Sequence, residues 1–233
     1  MKVKICVSIP ARNLSNVLAM MDKAERSGAD LIEVRLDYMV SNAPNILNSL
    51  KNIAERSSVP LIATNRHISQ GGKWKLSEEQ RLKTLIKAAE SGFTYVDIEL
   101  TTQKLSDFIE AVRKRGAKII VSFHNFDLTP PLDEMNKIFK AEVEAGADVC
   151  KLVTMANSLA DSINCLIFTY EACKSSDLVC FAMGRYGLLS RVLSPIFGAS
   201  FTFASLETGL ETAPGQITIG ELREIYERLG VRS

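Results

Sequence analysis

Lys151 lies within Asp148-Val-Cys-Lys-Leu-Val-Thr-Met155, an apolar run of the kind that forms a buried strand. Burial disfavours the ammonium form and can lower a lysine pKa by several units, turning an amine that is inert at neutral pH into a nucleophile. The chemistry open to such a group is Schiff-base formation with a carbonyl compound. The competing explanation is structural: a lysine here pairs with a carboxylate or extends its amine to the strand end. His124 ends the preceding strand-like run, Lys118-Ile-Ile-Val-Ser-Phe-His124. An imidazole beside a desolvated lysine can take a proton near neutral pH, as imine formation and proton abstraction next to a carbonyl require. In Leu31-Ile-Glu-Val-Arg-Leu-Asp37 the charged Glu33, Arg35 and Asp37 alternate with Ile32, Val34 and Leu36, which in a strand puts three charges on one face. Asp97 and Glu99 repeat that two-residue spacing, and Arg66 ends another run. An anionic substrate also needs a cation. Arg191 is the better-placed candidate, at the start of a helix where N–H groups favour an anion; Arg185 either replaces it or is solvated. His67 reads as loop surface.

These residues need a scaffold that brings several strand ends together. Short β-branched runs alternate with helical-period stretches throughout, which favours a parallel sheet with crossover helices. Strands are expected at 3–9, 31–37, 61–66, 95–100, 118–123, 149–155, 178–183 and 201–204. Eight such runs at this spacing predict a (β/α)8 TIM barrel, a single catalytic domain over residues 1–233, with its site on the face of the βα loops. Ser77 with Gln80 and Thr218 with Glu221 fit capping boxes, and Gly28, Gly92 and Gly146 mark helix ends before the next strand. The loops at 69–75, which contains Gly71, Gly72 and Trp74, and at 207–215 fall on the active face.

With Lys+Arg 28 against Asp+Glu 27 the net charge is +1, and no basic stripe interrupts that balance, which argues against nucleic acid or anionic membranes as partners. Five cysteines without a CxxC pair, and only two histidines, argue against a metal site. Cys6, Cys150, Cys165, Cys173 and Cys180 lie mostly in apolar contexts, which suits a reducing cytoplasm. The start moves directly into a strand, with no signal peptide or membrane span expected.

Taken together, Glu33-Val-Arg35-Leu-Asp37, Arg66 followed by Gly71-Gly72, Asp97-Ile-Glu99, Ser122-Phe-His124, Lys151-Leu-Val-Thr-Met155, Ser190-Arg191 and Ala213-Pro-Gly-Gln216 resemble type I 3-dehydroquinate dehydratase over nearly the whole chain. The resemblance implies a metal-free and cofactor-free (β/α)8 barrel, commonly a homodimer, that dehydrates 3-dehydroquinate to 3-dehydroshikimate in the shikimate route to aromatic compounds. Lys151 would then be the Schiff-base lysine and His124 the proton-transfer group, in an overall syn elimination. Glu33, Arg35 and Arg66 would hold ring hydroxyls. Arg191 would pair with the substrate carboxylate, assisted by Gln216 and Thr212, and Ser8, Met155, Met183 and Phe203 would line the pocket. Asp97 and Glu99 would stand behind the residues that touch substrate.

Gln70 departs from that family's pattern, which often has a glutamate before the Gly-Gly pair to orient the histidine. Glutamine can make the same hydrogen bond without the charge. The chain also starts almost at the first strand, so the hairpin that floors many relatives is expected to be missing and the floor closed otherwise. No GxGxxG follows a strand, so no NADP-dependent partner activity is expected. The rival readings are a class I aldolase or transaldolase, which would need a phosphate cradle after the last strands, and a non-catalytic metabolite-binding barrel.

Overall fold

Period-two alternation becomes a closed inside and outside only when strands pair in register. The computed structural model describes residues 2–10 and 12–232, the side chains of 40–46 excepted. Its strands are β1 (Ile5–Ile9), β2 (Leu31–Arg35), β3 (Leu61–Thr64), β4 (Tyr95–Glu99), β5 (Lys118–His124), β6 (Val149–Met155), β7 (Leu178–Met183) and β8 (Thr202–Ser205). Between and after them run α1 (Leu14–Arg26), α2 (Ala43–Arg56), α3 (Glu78–Glu90), α4 (Leu105–Arg113), α5 (Leu132–Glu144), α6 (Leu159–Ala172), α7 (Leu188–Leu193) and α8 (Ile219–Arg228). The strands pair in the order β7-β6-β5-β4-β3-β2-β1-β8, every pair parallel. Across the remaining seam, Ser200 N–H donates to Leu178 C=O at 2.8 Å. The expected (β/α)8 barrel is the fold observed.

Outward positions such as Ile5, Val7, Ile32, Val34, Val96, Ile98, Ile119 and Val121 pack beneath the helices. Inward positions divide by height. Cys6, Leu31, Ile62, Ile120, Val149, Val179 and Phe201, with Tyr95 packed against them, fill the lower barrel with apolar side chains. Each such side chain stabilises the fold by about 1.5–3 kcal/mol, which offsets the cost of the polar layer above it. At the floor, Val3 N–H also donates to Arg232 C=O at 2.8 Å, tying the first strand to the chain's last residues.

Local signals position the helices. Ser77 and Gln80 form the capping box of α3, Thr218 and Glu221 that of α8, and Ser158 and Asp161 a further one at α6. Gly92, at φ +101°, shows why glycine follows α3: the chain turns there through the left-handed region that side chains avoid. The first strand begins at Ile5 rather than residue 3, the fourth ends at Glu99, and two strands stop two residues before their expected ends. Beyond Arg35 the chain enters a 3-10 turn, Leu36–Asn42, so Asp37 does not share the strand face with Glu33 and Arg35. That turn sets the Asp37 carboxylate against the Arg35 guanidinium. Likewise β3 ends at Thr64, and Arg66 stands past its end.

Candidate active site

Inward-facing residues of β1 through β6 converge on Lys151. The register sets Ser122 beside Lys151, so His124 stands one inward step nearer the mouth. Lys151 is 4% exposed; its Nζ lies 2.8 Å from Asp97 Oδ2, 3.6 Å from Glu33 Oε1, and 4.3 Å from the ring centre of Phe203. The strand lysine is therefore buried, and two carboxylates accompany it.

Burial acts to raise the Asp97 pKa, but Arg66, Lys151 and His124 outweigh it and hold the carboxyl far below the usual range. Asp97 is a fixed counter-ion rather than a proton acceptor. Glu33 is held below its ordinary value in the same way, burial opposing and Lys151, Arg35 and the Ser8 hydroxyl prevailing. Ser8 Oγ and Thr64 Oγ1 both donate to Glu33, the latter at 2.8 Å, so neighbouring strands fix its orientation. Arg35 makes a two-pronged pair with Asp37, Nε to Oδ1 and Nη2 to Oδ2, both 2.8 Å. Arg66 is committed more heavily: Nη2 lies 2.7 Å from Asp97, while Nη1 donates to Ser122 Oγ at 2.6 Å and Glu99 Oε1 at 3.1 Å. Most of its hydrogen-bonding capacity is spent on protein, which leaves a smaller share for a ligand than its position in the sequence suggests.

His124 Nδ1 lies 3.1 Å from Gln70 Oε1, and Gln70 Nε2 lies 3.2 Å from Thr101 Oγ1. The 3-10 turn Ile68–Gln70 delivers this amide, ending at Gly71 in the left-handed conformation. Gly72 is required for a second reason: a Cβ there would sit 1.8 Å from the Arg66 carbonyl oxygen. Burial, then the cations Arg66 and Lys151, push the His124 pKa well below its ordinary value, with Asp97 opposing. The imidazole is neutral, and a neutral ring that donates from Nδ1 to Gln70 leaves Nε2 able to accept a proton. Phe126 stacks beside it with ring centres 6.2 Å apart.

Across the cavity, Arg191 of α7 is 1% exposed and its guanidinium carbon lies 4.2 Å from the Phe181 ring centre. Nη1 reaches the Phe203 carbonyl at 3.4 Å, while Nε and Nη2 are buried without a hydrogen-bond partner. Burial with no carboxylate nearby pushes its pKa down to about 9. Such a cation is costly unless an anion joins it. Arg185, the alternative, is exposed and lies against Tyr186. The Gln216 side-chain oxygen Oε1 accepts from Thr212 N–H at 2.8 Å and Oγ1 at 3.3 Å, which ties the last loop together.

A pocket open at its mouth joins these groups; Ser8, Glu33, Arg35, Arg66, Gln70, His124, Lys151, Met183, Arg191, Phe203, Thr212 and Gln216 all line it. Asp97 and Glu99 lie behind its wall, reaching it through Lys151 and Arg66. Met155 is the exception among the residues expected to line the pocket. At the end of β6 its sulfur lies against Gly184, outside the lining. Val153, Phe181 and Phe126 also line the cavity without having been singled out. Parity with Lys151 and Met183 identifies the first two, whereas nothing in the sequence marks Phe126. His67 is partly buried: its N–H donates to Glu99 at 2.9 Å and its ring contacts Ser69. Trp74 is likewise buried, its indole N–H donating to Ser77 C=O at 3.2 Å. Among the described residues no helix is long and apolar enough to cross a membrane.

Residues 5–233 match the family model for type I 3-dehydroquinase. The 3-dehydroquinate dehydratase of Methanosarcina barkeri is 35% identical over 222 residues, covering 93% of this chain and 92% of that protein. The 3-dehydroquinate dehydratase structure from Geobacillus kaustophilus superposes with a TM-score of 0.91 at 26% identity, covering 99% of this chain and 92% of that one. The type I enzyme from Clostridium difficile, with covalent modified comenic acid, gives 0.88 at 26% identity over 98% and 92%. With a match that spans all eight strands and relatives this similar over nine-tenths of its length, the chain belongs to the type I 3-dehydroquinase family.

Proposed function

We propose that this enzyme dehydrates 3-dehydroquinate to 3-dehydroshikimate through a Schiff base on Lys151, in the shikimate route to aromatic compounds. The observation that carries the reading is the pairing of a buried strand amine with a neutral imidazole one inward step away, opposite a buried guanidinium that lacks a counter-ion. The Lys151 amine adds to the C3 ketone and the ketone oxygen leaves as water. The iminium that forms keeps a positive charge where Asp97 and Glu33 already face one, so the charge balance of the site survives imine formation. It also acidifies the C2 proton. Asp97, held ionised, is a poor acceptor for that proton, and His124 takes it. The enamine then expels the C1 hydroxyl, which His124 protonates as it returns to its neutral form. Water adds to the product imine and frees Lys151. One imidazole on one face of the ring serves both transfers, which makes the elimination syn.

Arg191 holds the substrate carboxylate, gaining the anion its burial lacks, and Gln216 and Thr212 border the same end. Glu33 and Arg35 meet ring hydroxyls from the opposite wall, with a smaller part for Arg66. The covalent comenic acid in the Clostridium difficile relative supports a site built for covalent attachment. Free cysteines, four of them buried, support a reducing cytoplasmic compartment. A homodimer is supported by α6, where Leu159, Ile163, Ile167 and Tyr170 form an exposed apolar stripe at helical spacing.

Borohydride added during turnover of 3-dehydroquinate should reduce the imine and leave an adduct that peptide mass mapping locates on Lys151. Lys151→Ala should lose at least about a thousandfold in kcat. A Lys151→Ala enzyme that turns over like the wild type overturns the imine mechanism.

A further inference from the structure

The strongest feature outside the residues assigned above is Arg81. It belongs to α3, outside the barrel, yet it is 1% exposed. Its Nη1 donates to Glu99 Oε2 at 2.7 Å and to the backbone carbonyl of Asn65 at 2.8 Å. Nε and Nη2 bind the two carboxylate oxygens of Glu78, both at 2.7 Å. With its donors spent on protein groups, Arg81 is no anion site. What it grips is informative.

Asn65 directly precedes Arg66, and the other oxygen of Glu99 accepts from Arg66 Nη1 at 3.1 Å and from His67 N–H at 2.9 Å. Arg81 thus clamps residues 65–67 twice, once through the backbone and once through Glu99. Those residues have left the β3 ladder, so strand pairing does not fix them. Arg66 in turn holds Asp97 at 2.7 Å, and Asp97 holds Lys151 at 2.8 Å. The His67 end of the same segment leads into the turn that presents Gln70 to His124. Both reacting side chains therefore take their positions from the segment that Arg81 secures.

We propose that Arg81 is a positioning residue for the dehydration, acting through Glu99 and Arg66 on Lys151 and through the 65–70 segment on His124; this rests on the Lys151 reading above. It touches no substrate. A displacement of about 1 Å at reacting groups can cost about a hundredfold in rate, so the clamp is expected to govern kcat rather than binding. Lysine cannot replace it, because one ammonium cannot span Asn65, Glu99 and Glu78 as the planar fork does.

A cleft bordered by His67, Glu78, Arg81, Glu99 and Thr102 opens beside the side chain, so a small cation can reach the space left in Arg81→Ala. The test is steady-state kinetics with 3-dehydroquinate, borohydride labelling of Lys151 and thermal melting, on wild type, Arg81→Ala and Arg81→Lys, with and without guanidinium chloride at sub-denaturing concentration. Arg81→Ala should lose about tenfold to a hundredfold in kcat, with KM within about threefold and slower labelling of Lys151. Guanidinium should restore part of that kcat in a saturable manner, in this variant and not in wild type, and Arg81→Lys should fall between. A folded Arg81→Ala with wild-type kcat, or a kcat loss that guanidinium leaves untouched, overturns the proposal. Should Arg81→Ala fail to fold, Arg81→Lys decides: reduced kcat at an unchanged melting temperature supports the clamp, and wild-type kcat overturns it. A wild-type enzyme that turns over without labelling at Lys151 instead sinks the imine reading, and the two failures are told apart.

Discussion

Lys151 is an amine buried with two carboxylates, whereas Arg191 is a guanidinium buried with none. The contrast separates their surroundings: the carboxylates that face the Lys151 amine would equally face the cation of an imine formed on it, whereas the unpaired guanidinium waits for an external anion. His124 completes the set because burial and the cations Arg66, Lys151 and Arg35 hold its pKa well below the ordinary value, and the base form is the one that abstracts a proton. Gln70 tunes this residue. Its Oε1 orients Nδ1 at 3.1 Å but carries no charge to favour the imidazolium. Glutamate at that position would add an anion within hydrogen-bond reach and raise the histidine pKa by about one unit or more. Activity is lost as pH falls through that pKa, so the acid limb of kcat/KM in Gln70→Glu should move to higher pH. Superimposable pH–rate profiles for the two enzymes would falsify this account.

Elements act by what they carry to the mouth of the barrel. The strands deliver Lys151, Glu33 and Asp97 with strand precision, whereas Gln70, Arg191 and Gln216 come from a turn, a short helix and a loop, each braced by local bonds. Not every buried charge serves the site. Glu142 of α5 is fully buried behind β6, against the Cys150 thiol and the backbone of Lys151. Burial, with a further push from Asp97, raises its pKa well above the usual value. An acid whose folded pKa is raised binds its proton more tightly in the native state, so it weakens folding progressively as pH rises above the unfolded value of about 4.3. Glu142→Met, close in volume, should therefore raise the melting temperature at neutral pH by about 2–4 °C per kcal/mol recovered. That gain should shrink towards pH 4, where the wild-type residue is protonated in both states. Melting curves at neutral and acidic pH check it, and equal or lower stability of the variant at pH 7 would count against it.

At the scale of the whole molecule, net charge is +1, so neither a strong field nor self-repulsion sets its behaviour. The charge that matters is internal: Arg81, Glu99, Arg66, Asp97, Lys151 and Glu33 form a continuous series of opposite signs from the outer helix to the cavity. Breaking a buried pair by removing one partner costs about 3–5 kcal/mol, so the barrel floor must be stable enough to carry a polar upper half. Outside, the apolar stripe of α6 is the feature that a second copy would cover. Sedimentation equilibrium is expected to give a mass twice the 25.7 kDa of one chain. A single 25.7 kDa species at micromolar concentration would rule the homodimer out.

The alternation of charged and apolar residues in β2 and β4, the apolar frame of Lys151 and the eight repeats by themselves determined the barrel and the inward face of Glu33, Asp97, Glu99, His124 and Lys151. That much was legible because side-chain period and strand parity are local properties of the chain. The partners were not. Asp37 on Arg35, Arg66 spent on Asp97 and Glu99, Phe126 beside His124, Met155 outside the cavity and Arg81 reaching in from α3 were decided by the tertiary structure. Which charges meet depends on strand register and on where turns and outer helices cross the barrel mouth. Arg81 meets Glu99 across 18 positions and Arg66 meets Glu99 across 33, closures that no local pattern encodes, while the Arg35–Asp37 and His124–Phe126 neighbours depend on how the chain turns past each strand.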